Sequence, residues 1–158
     1  IDGGFSIATE GGSALHISGV EEIRFDDATL SVQTGGVAQT VGLFYETLLG
    51  RDSDIAGLSF WSDVGASDFG LGNVADFILS SDEFVENTGT LESNDDFLTF
   101  LYQSALGRES DAEGRAFWLD ALDSGVVDRG DVALGFATAD ETLDRFADTL
   151  DDGFILFG

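Results

Sequence analysis

Two acid-rich segments have residue types and a spacing that could bind a metal ion. Residues 52–63 approximate the calcium loop D-x-[DN]-x-[DN]-G-x₅-E, with Asp52 at position 1, Asp54 at position 3, Gly57 at position 6 and Asp63 at position 12. Calcium takes about six to eight oxygen ligands at about 2.3–2.6 Å, and short Asp side chains at alternate positions of a tight turn can supply them. The first segment therefore predicts a calcium site built from Asp52, Asp54 and Asp63.

The second segment fits the same template over residues 109–120. Glu109 stands at position 1, Asp111 at position 3, Glu113 at position 5 and Asp120 at position 12. These four carboxylates, with the three of the first segment, are the predicted calcium ligands.

A different interpretation of the same residues stays open, because both segments depart from the template. Position 5 of the first segment is Ala56, and position 12 is Asp in both. Asp54 and Asp111 can instead act as N-caps of the helices that follow, with Arg51 and Arg108 pairing with carboxylates to hold each loop.

An internal repeat decides which elements position these residues. Residues 45–63 read YETLLGRDSDIAGLSFWSD and residues 102–120 read YQSALGRESDAEGRAFWLD, identical at ten of 19 positions. Each unit is predicted to contain a long helix, an acidic loop, a second helix beginning near the Phe-Trp pair, and two shorter helices. The predicted units span residues 37–93 and 94–152.

Hydrophobic spacing predicts the fold class. Val41, Phe44, Tyr45 and Leu48 recur at helical intervals, and Gly50 follows at the place of a C-cap. Residues 80–83 and 138–141 fit capping boxes that open short helices. Residues 1–36 alternate as short strands do, and residues 153–158 are either a strand that pairs with residues 5–8 or a tail like an export signal. We expect a mainly α fold, a tandem helical repeat bundle with a small N-terminal antiparallel β-element.

Paired aromatics and the single histidine favour structural roles. Phe60-Trp61 and Phe117-Trp118 are predicted to lie in the core, although such pairs also stack on sugars in other proteins. His16 lies in an alternating segment and is expected to be structural.

Composition excludes several function classes. The 158 residues carry a formal net charge of −25, which repels nucleic acids and anionic membrane surfaces. The absence of Cys and Lys excludes thiol nucleophiles, disulfides and Schiff-base chemistry. No apolar run approaches the roughly 20 residues of a membrane span, so we expect no membrane insertion. A carboxylate glycosidase is the enzyme class that remains, but the sequence does not fix the distance between any two acids.

The repeated motif resembles a known family. Residues 101–108, LYQSALGR, followed by Asp111, Gly114, Phe117 and Trp118, resemble an uncharacterised helical domain family of bacterial secreted RTX-type, adhesin and surface-layer proteins. The core LGR-x-x-D-x-x-G-x-x-[FY]W is also similar to that of phycobilisome linker domains. The family often has Pro where Ser53 and Ser110 stand here.

The resemblance implies a non-enzymatic, extracellular module of a bacterial secreted or surface protein, often exported by a type I system. Its expected role is adhesion, matrix or surface assembly, and its expected partner is an extracellular protein or polysaccharide. Calcium does not follow from the resemblance; the acidic loops themselves lead us to expect that calcium bound there would couple folding to export, since an ion bound only by the folded chain stabilises it. The alternative is a carbohydrate-binding module that uses exposed aromatics.

Overall fold

The protein is mainly helical. The computed structural model describes residues 36–151 and five short strands. Within these residues the helices are α1 (Val37–Phe44), continued by a π-helical turn (Tyr45–Leu49), α2 (Ile55–Ala66), α3 (Gly70–Leu79), α4 (Asp82–Thr88), α5 (Asn94–Ser104), α6 (Ala112–Asp123), α7 (Arg129–Ala137), α8 (Asp140–Arg145) and α9 (Ala147–Asp151).

The helix order repeats. Helices α1 to α4 are followed by α5 to α8, with a bend of the same kind after the first helix of each series. The second helix of each series begins earlier than the sequence predicts, at Ile55 and Ala112, five residues before the aromatic pair. An aspartate starts each of these helices, so hydrogen bonding at the N-terminus sets the boundary rather than the first large apolar residue.

Neither of the two predicted capping boxes forms in full, because the glutamate of each makes its bonds elsewhere. Ser81 caps α4 by accepting a hydrogen bond from the Phe84 N–H at 3.2 Å, as expected of a serine in that place. The equivalent residue before α8 is Ala139, which has no side-chain acceptor. Glu83 and Glu141, the expected reciprocal partners, bind arginines instead.

The helical spacing of α1 correctly identifies core residues. Val41, Phe44, Tyr45 and Leu48 are all buried, and Gly50 ends the segment with a φ of 68°. The main core cluster contains Phe44 of the first series, Phe97 of α5 and Val132 of α7, so both series share one hydrophobic core, while Val41 and Tyr45 belong to a smaller adjoining cluster.

The two series also meet where α3 crosses α7. Gly72 and Gly130 stand at equivalent positions of these helices, and a Cβ on Gly130 would collide with the Gly72 carbonyl oxygen and the Asp76 carboxyl. Small residues at the crossing let the helix backbones approach closely, as tightly packed helix pairs require.

The strands are Gly4–Ala8 (β1), Ala14–Ser18 (β2), Glu22–Arg24 (β3), Thr29–Ser31 (β4) and Phe154–Leu156 (β5). β1 pairs with β2, opposing Ser6 to His16, and β3 pairs with β4, both antiparallel. β5 pairs with β4 rather than with residues 5–8, the partner that the sequence suggested. The rest of residues 1–35, residues 152–153 and the last two residues lie outside the described part of the chain.

Among the described residues, none of the helices has the length and apolar character needed to cross a membrane.

Candidate functional site

The bend that follows the first helix of each series has the same backbone shape. Gly50 and Gly107 both have a φ of 68°, in the left-handed region that favours glycine. The backbone N–H of the next residue donates to the backbone carbonyl of the tyrosine six positions earlier. Arg51 bonds Tyr45 in this way at 3.3 Å, and Arg108 bonds Tyr102 at 3.2 Å. The sequence repeat therefore extends to the atomic geometry of the loop.

An aspartate caps the helix after each bend. Asp54 accepts a hydrogen bond from the Gly57 N–H at 2.8 Å, and Asp111 accepts one from the Gly114 N–H at 2.7 Å. Both aspartates have extended backbone angles, as N-cap residues do. The capping interpretation of these two residues is confirmed.

An arginine ties each bend to a helix more than thirty residues away. Arg51 donates to both carboxylate oxygens of Glu83 on α4, at 2.5 and 3.0 Å, and Arg108 donates to both of Glu141 on α8, at 2.7 and 3.1 Å. Each guanidinium also lies over the ring of a tyrosine, 4.8 Å from the Tyr45 centroid in the first series. These contacts confirm that the arginines hold the loops through carboxylates.

The same arginines reach the helix caps more weakly. An Arg51 nitrogen lies 3.8 Å from an Asp54 oxygen, and the corresponding distance from Arg108 to Asp111 is 3.6 Å. These side chains are about half exposed, so the screened pairs add little stability compared with the caps themselves.

A buried tyrosine fixes the glycine in each capped turn. A Cβ on Gly57 would strike the Tyr45 hydroxyl, and a Cβ on Gly114 would strike the Tyr102 hydroxyl. Burial raises the pKa of each tyrosine, and the nearby charge of Asp54 or Asp111 raises it further. Gly57 stands at position 6 of the calcium template, and Gly114 is its equivalent, but the tyrosine that packs against each glycine explains why glycine is needed there.

Hydrogen bonds shift the pKa values of the carboxyls in this network. Those from Arg51 and Arg108 lower the pKa of Glu83 and of Glu141 respectively, and the Gly114 N–H lowers the pKa of Asp111. Each of these shifts is caused by a hydrogen bond that exists only in the folded protein. These hydrogen bonds hold the two loops closed.

The predicted calcium ligands lie in three kinds of place. Asp52 and Glu109 are in the bends, Asp54 and Asp111 are N-caps, and Glu113, Asp63 and Asp120 lie on α2 or α6. Asp63 stands eight residues beyond the first residue of α2, about 12 Å along the axis at 1.5 Å per residue. The twelve-position count of the template therefore does not form a loop, and Asp54 and Asp63 do not face one ion. In the described part of the chain, no three acidic or histidine side chains come together as metal ligands.

One acid pair distinguishes the two loops and was not singled out in the sequence. Glu46, on the π-helical turn, is partly buried beside Asp52, and burial first, then the hydrogen bond and charge of Asp52, raises the pKa of Glu46. The equivalent residues of the second series are Gln103 and Glu109. Aligning the two repeats would have revealed this difference, since a charged residue in one faces a neutral residue in the other.

The aromatic pairs are split between core and surface. Trp61 and Trp118 pack against the main core cluster, as predicted, but Phe60 and Phe117 are 59% and 65% exposed. Consecutive helical residues point about 100° apart, so the two members of a pair cannot both face the core. Each phenylalanine contacts its tryptophan edge to face, with ring centroids 4.9 and 5.1 Å apart.

An open groove of about 390 Å³ lies where the two series adjoin. Its walls carry polar side chains beside aromatic ones, and its lining includes Glu46, Asn87, Phe100, Ser104, Arg145 and Phe146. The Ser104 hydroxyl is buried and has no hydrogen-bond partner among the described residues. No pattern along the chain indicates this groove, because its residues come from four separate elements.

Comparison with known proteins gives one family. Residues 75–146 match the model described as "Domain of unknown function (DUF4214)". The matched part runs from within α3 to just beyond α8, and therefore includes the whole second bend with its cap and its arginine. No curated protein and no solved structure matches the chain. The comparisons therefore support similarity to a domain family whose function is unknown over residues 75–146.

Proposed function

We propose that this chain is a non-enzymatic module of a bacterial secreted or surface protein, acting outside the cell in adhesion, matrix or surface assembly. One observation carries the proposal: the two helical series repeat the same closed loop and each presents the same exposed phenylalanine, Phe60 and Phe117. A repeated scaffold that shows one surface feature twice is suited to binding a repetitive or multivalent partner.

The chemistry of the loops is consistent with a scaffold. Catalytic sites shift pKa values with groups held near a cleft, whereas the shifted carboxyls Glu83, Asp111 and Glu141 each bind an arginine or a backbone N–H that closes a loop. The resemblance of the motif to domains of RTX-type, adhesin and surface-layer proteins supports the extracellular setting.

Fractionation of the source bacterium tests this proposal. An antibody against the chain should detect the protein in the culture medium or on the surface of intact cells, and surface protease should remove the surface signal. A cytosolic marker protein provides the control for lysis. Exclusive recovery with that marker would contradict an extracellular role.

Calcium belongs to this proposal as a stabiliser of the folded state outside the cell. The support is electrostatic, because a net charge of −25 opposes compaction and a bound divalent cation would reduce the repulsion between the acidic side chains. An ion that binds only the folded chain stabilises it by mass action, so the chain would compact where calcium is abundant. Thermal unfolding in calcium and in chelator, at equal ionic strength, tests this idea, and an unchanged midpoint would reject it.

The groove between the two series favours a carbohydrate-binding module as the second candidate. It combines the amide of Asn87, the carboxyl of Glu46 and the buried Ser104 hydroxyl with the ring of Phe100, a mixture of hydrogen-bonding and apolar groups that sugar rings require. Calorimetric titration with neutral oligosaccharides should give heat that Asn87→Ala abolishes. Equal heat with wild type and variant would exclude the groove.

A further inference from the structure

Two residues of each repeat are identical between the halves and yet face solvent. Phe60 and Asp63 lie on α2, and Phe117 and Asp120 occupy the equivalent places on α6. All four side chains are exposed. We call these two residues the Phe–Asp face of each helix.

Most of the other identities between the repeats have a structural use. In the bend, the glycine at 50 and 107 has a positive φ, the arginine at 51 and 108 binds a distant glutamate, and the aspartate at 54 and 111 caps a helix. The tyrosine at 45 and 102 is buried against the glycine at 57 and 114, and the tryptophan at 61 and 118 packs on the core. Neighbouring positions have diverged, with Leu58 replaced by Arg115 and Ser62 by Leu119. An exposed pair that stays constant while its neighbours change points to a use outside the fold.

The edge-to-face contact with tryptophan does not account for the phenylalanines. More than half of the accessible surface of each phenylalanine remains exposed. Within the described residues, the carboxylates of Asp63 and Asp120 form no hydrogen bond or ion pair, although the Asp120 backbone carbonyl accepts a bond from the Ser124 N–H. The aspartates thus contribute no contact to the folded chain that would explain their identity.

Helical spacing places the ring and the carboxylate of each pair side by side. Residues three apart share a helix face, with Cβ atoms about 5–6 Å apart. An apolar ring beside an anion matches the side chain of Lys or Arg, whose apolar stem can pack on the ring while its charged end meets the carboxylate.

In the described part of the chain, no arginine pairs with the carboxylates of Asp63 and Asp120. Every arginine between residues 36 and 151 is bound elsewhere: Arg51 to Glu83, Arg108 to Glu141, Arg115 to Asp95, and Arg129 and Arg145 to backbone carbonyls. The net charge of −25 adds a long-range attraction for cations, and it repels a second copy of the same chain.

We propose that the two Phe–Asp faces are twin docking sites for a basic segment of another protein, one that presents Lys or Arg beside apolar side chains. This proposal rests on the proposed assembly function and names its partner class. With two sites on one rigid chain, a partner that carries two such segments would bind with avidity that neither site gives alone.

Peptide titration tests the docking sites with the full chain. The probe is acetyl-Lys-Leu-Arg-Leu-Lys-amide, followed by fluorescence anisotropy at physiological salt. Two control peptides replace Leu by Ser or the basic residues by Glu. Wild type should bind the probe at least about tenfold more tightly than either control peptide, because both apolar and cationic contacts are needed.

Variants locate the binding on the chain. The double variant Phe60→Ala/Phe117→Ala should weaken probe binding at least about tenfold, the effect expected for removal of an interface anchor. Asp63→Lys/Asp120→Lys changes only exposed helix positions, so the variant should still fold, which circular dichroism checks. It should lose binding of the probe and gain binding of the acidic control peptide. Val126→Ala, at a position that is 79% exposed and not repeated, should change nothing.

A charge control separates docking from general attraction. Glu86→Gln removes one exposed carboxylate of α4 outside both faces and should leave the affinity for the probe unchanged. Equal binding by wild type and both double variants would overturn the proposal. So would a loss with Glu86→Gln as large as the loss with the Phe–Asp variants, or failure of wild type to bind the probe. Each of these results is independent of where the protein is found in the cell.

Discussion

Replacing the two N-cap aspartates separates a capping role from a metal-binding role. Asp54 and Asp111 each accept one backbone hydrogen bond at the start of a helix. Alanine removes both the acceptor and the charge. Asparagine keeps an acceptor oxygen and removes only the charge, so the two substitutions differ in the single property that matters for capping.

The structure sets the size of the expected effect. Loss of an N-cap costs about 0.5–2 kcal/mol of unfolding free energy, and the contact with arginine adds little because both side chains are exposed. The two caps lie in different repeats and have different partners, so their effects should add. Asp54→Ala/Asp111→Ala should therefore lose about 1–4 kcal/mol, and the double asparagine variant less than about 1 kcal/mol.

Urea unfolding followed by circular dichroism measures these differences in the full chain. The measurement is made at pH 7 and fixed ionic strength, once with calcium and once with chelator. If the aspartates only cap, the order of stability is the same in both solutions. If they also bind calcium, wild type gains about 2.7 kcal/mol at a calcium concentration 100 times the dissociation constant, and the asparagine variant does not.

Two results would refute this reasoning. A double alanine variant as stable as wild type in chelator would show that the caps contribute nothing. An asparagine variant as unstable as the alanine variant in chelator would show that charge, and not the hydrogen bond, is what the helix N-terminus needs.

Three further predictions concern pH and packing. The pKa values of Glu83 and Glu141 are lowered on folding, so these residues stabilise the fold above their ordinary pKa of 4.5. This contribution is lost as the pH falls through the lowered values. The free energy of unfolding, measured across an acid titration, should therefore fall steeply only below about pH 4.5. The pKa of Glu46 is shifted in the opposite direction, upward, so Glu46→Gln should raise the urea midpoint at pH 7. This gain should vanish at a pH low enough to protonate Glu46 in wild type. A gain that persists at pH 3 would contradict this cause. Gly57→Ala should cost about 1–3 kcal/mol because the new Cβ meets the Tyr45 hydroxyl, and a double-mutant cycle with Tyr45→Phe should recover part of that loss. Strictly additive losses in that cycle would show that the hydroxyl is not the obstacle.

The repeat was the most informative part of the sequence. Identity between the two halves predicted two copies of one loop, and both copies have the same glycine angle, cap and arginine pair. Apolar spacing correctly predicted that Val41 and Phe44 are buried, but α1 is buried on all sides, and the pattern did not indicate that Gln39 and Thr40 are buried as well.

The calcium template predicted a loop where the chain forms a helix. A motif of spaced acids specifies ligand types but not backbone path, and the N-cap hydrogen bonds of Asp54 and Asp111 begin a helix before the twelve positions are complete. The helix start near the aromatic pair was misplaced for the same reason.

The sequence by itself determined the helical class, the duplication and the aspartates that cap a helix after each bend, because helical spacing and capping depend on contacts within a few turns of chain. Only the tertiary structure decided that Glu83 and Glu141 bind the loop arginines, that Phe60 and Phe117 face outward, and that a groove forms between the two series. Such features depend on how distant helices pack, and the spacing of residues along the chain does not record that arrangement.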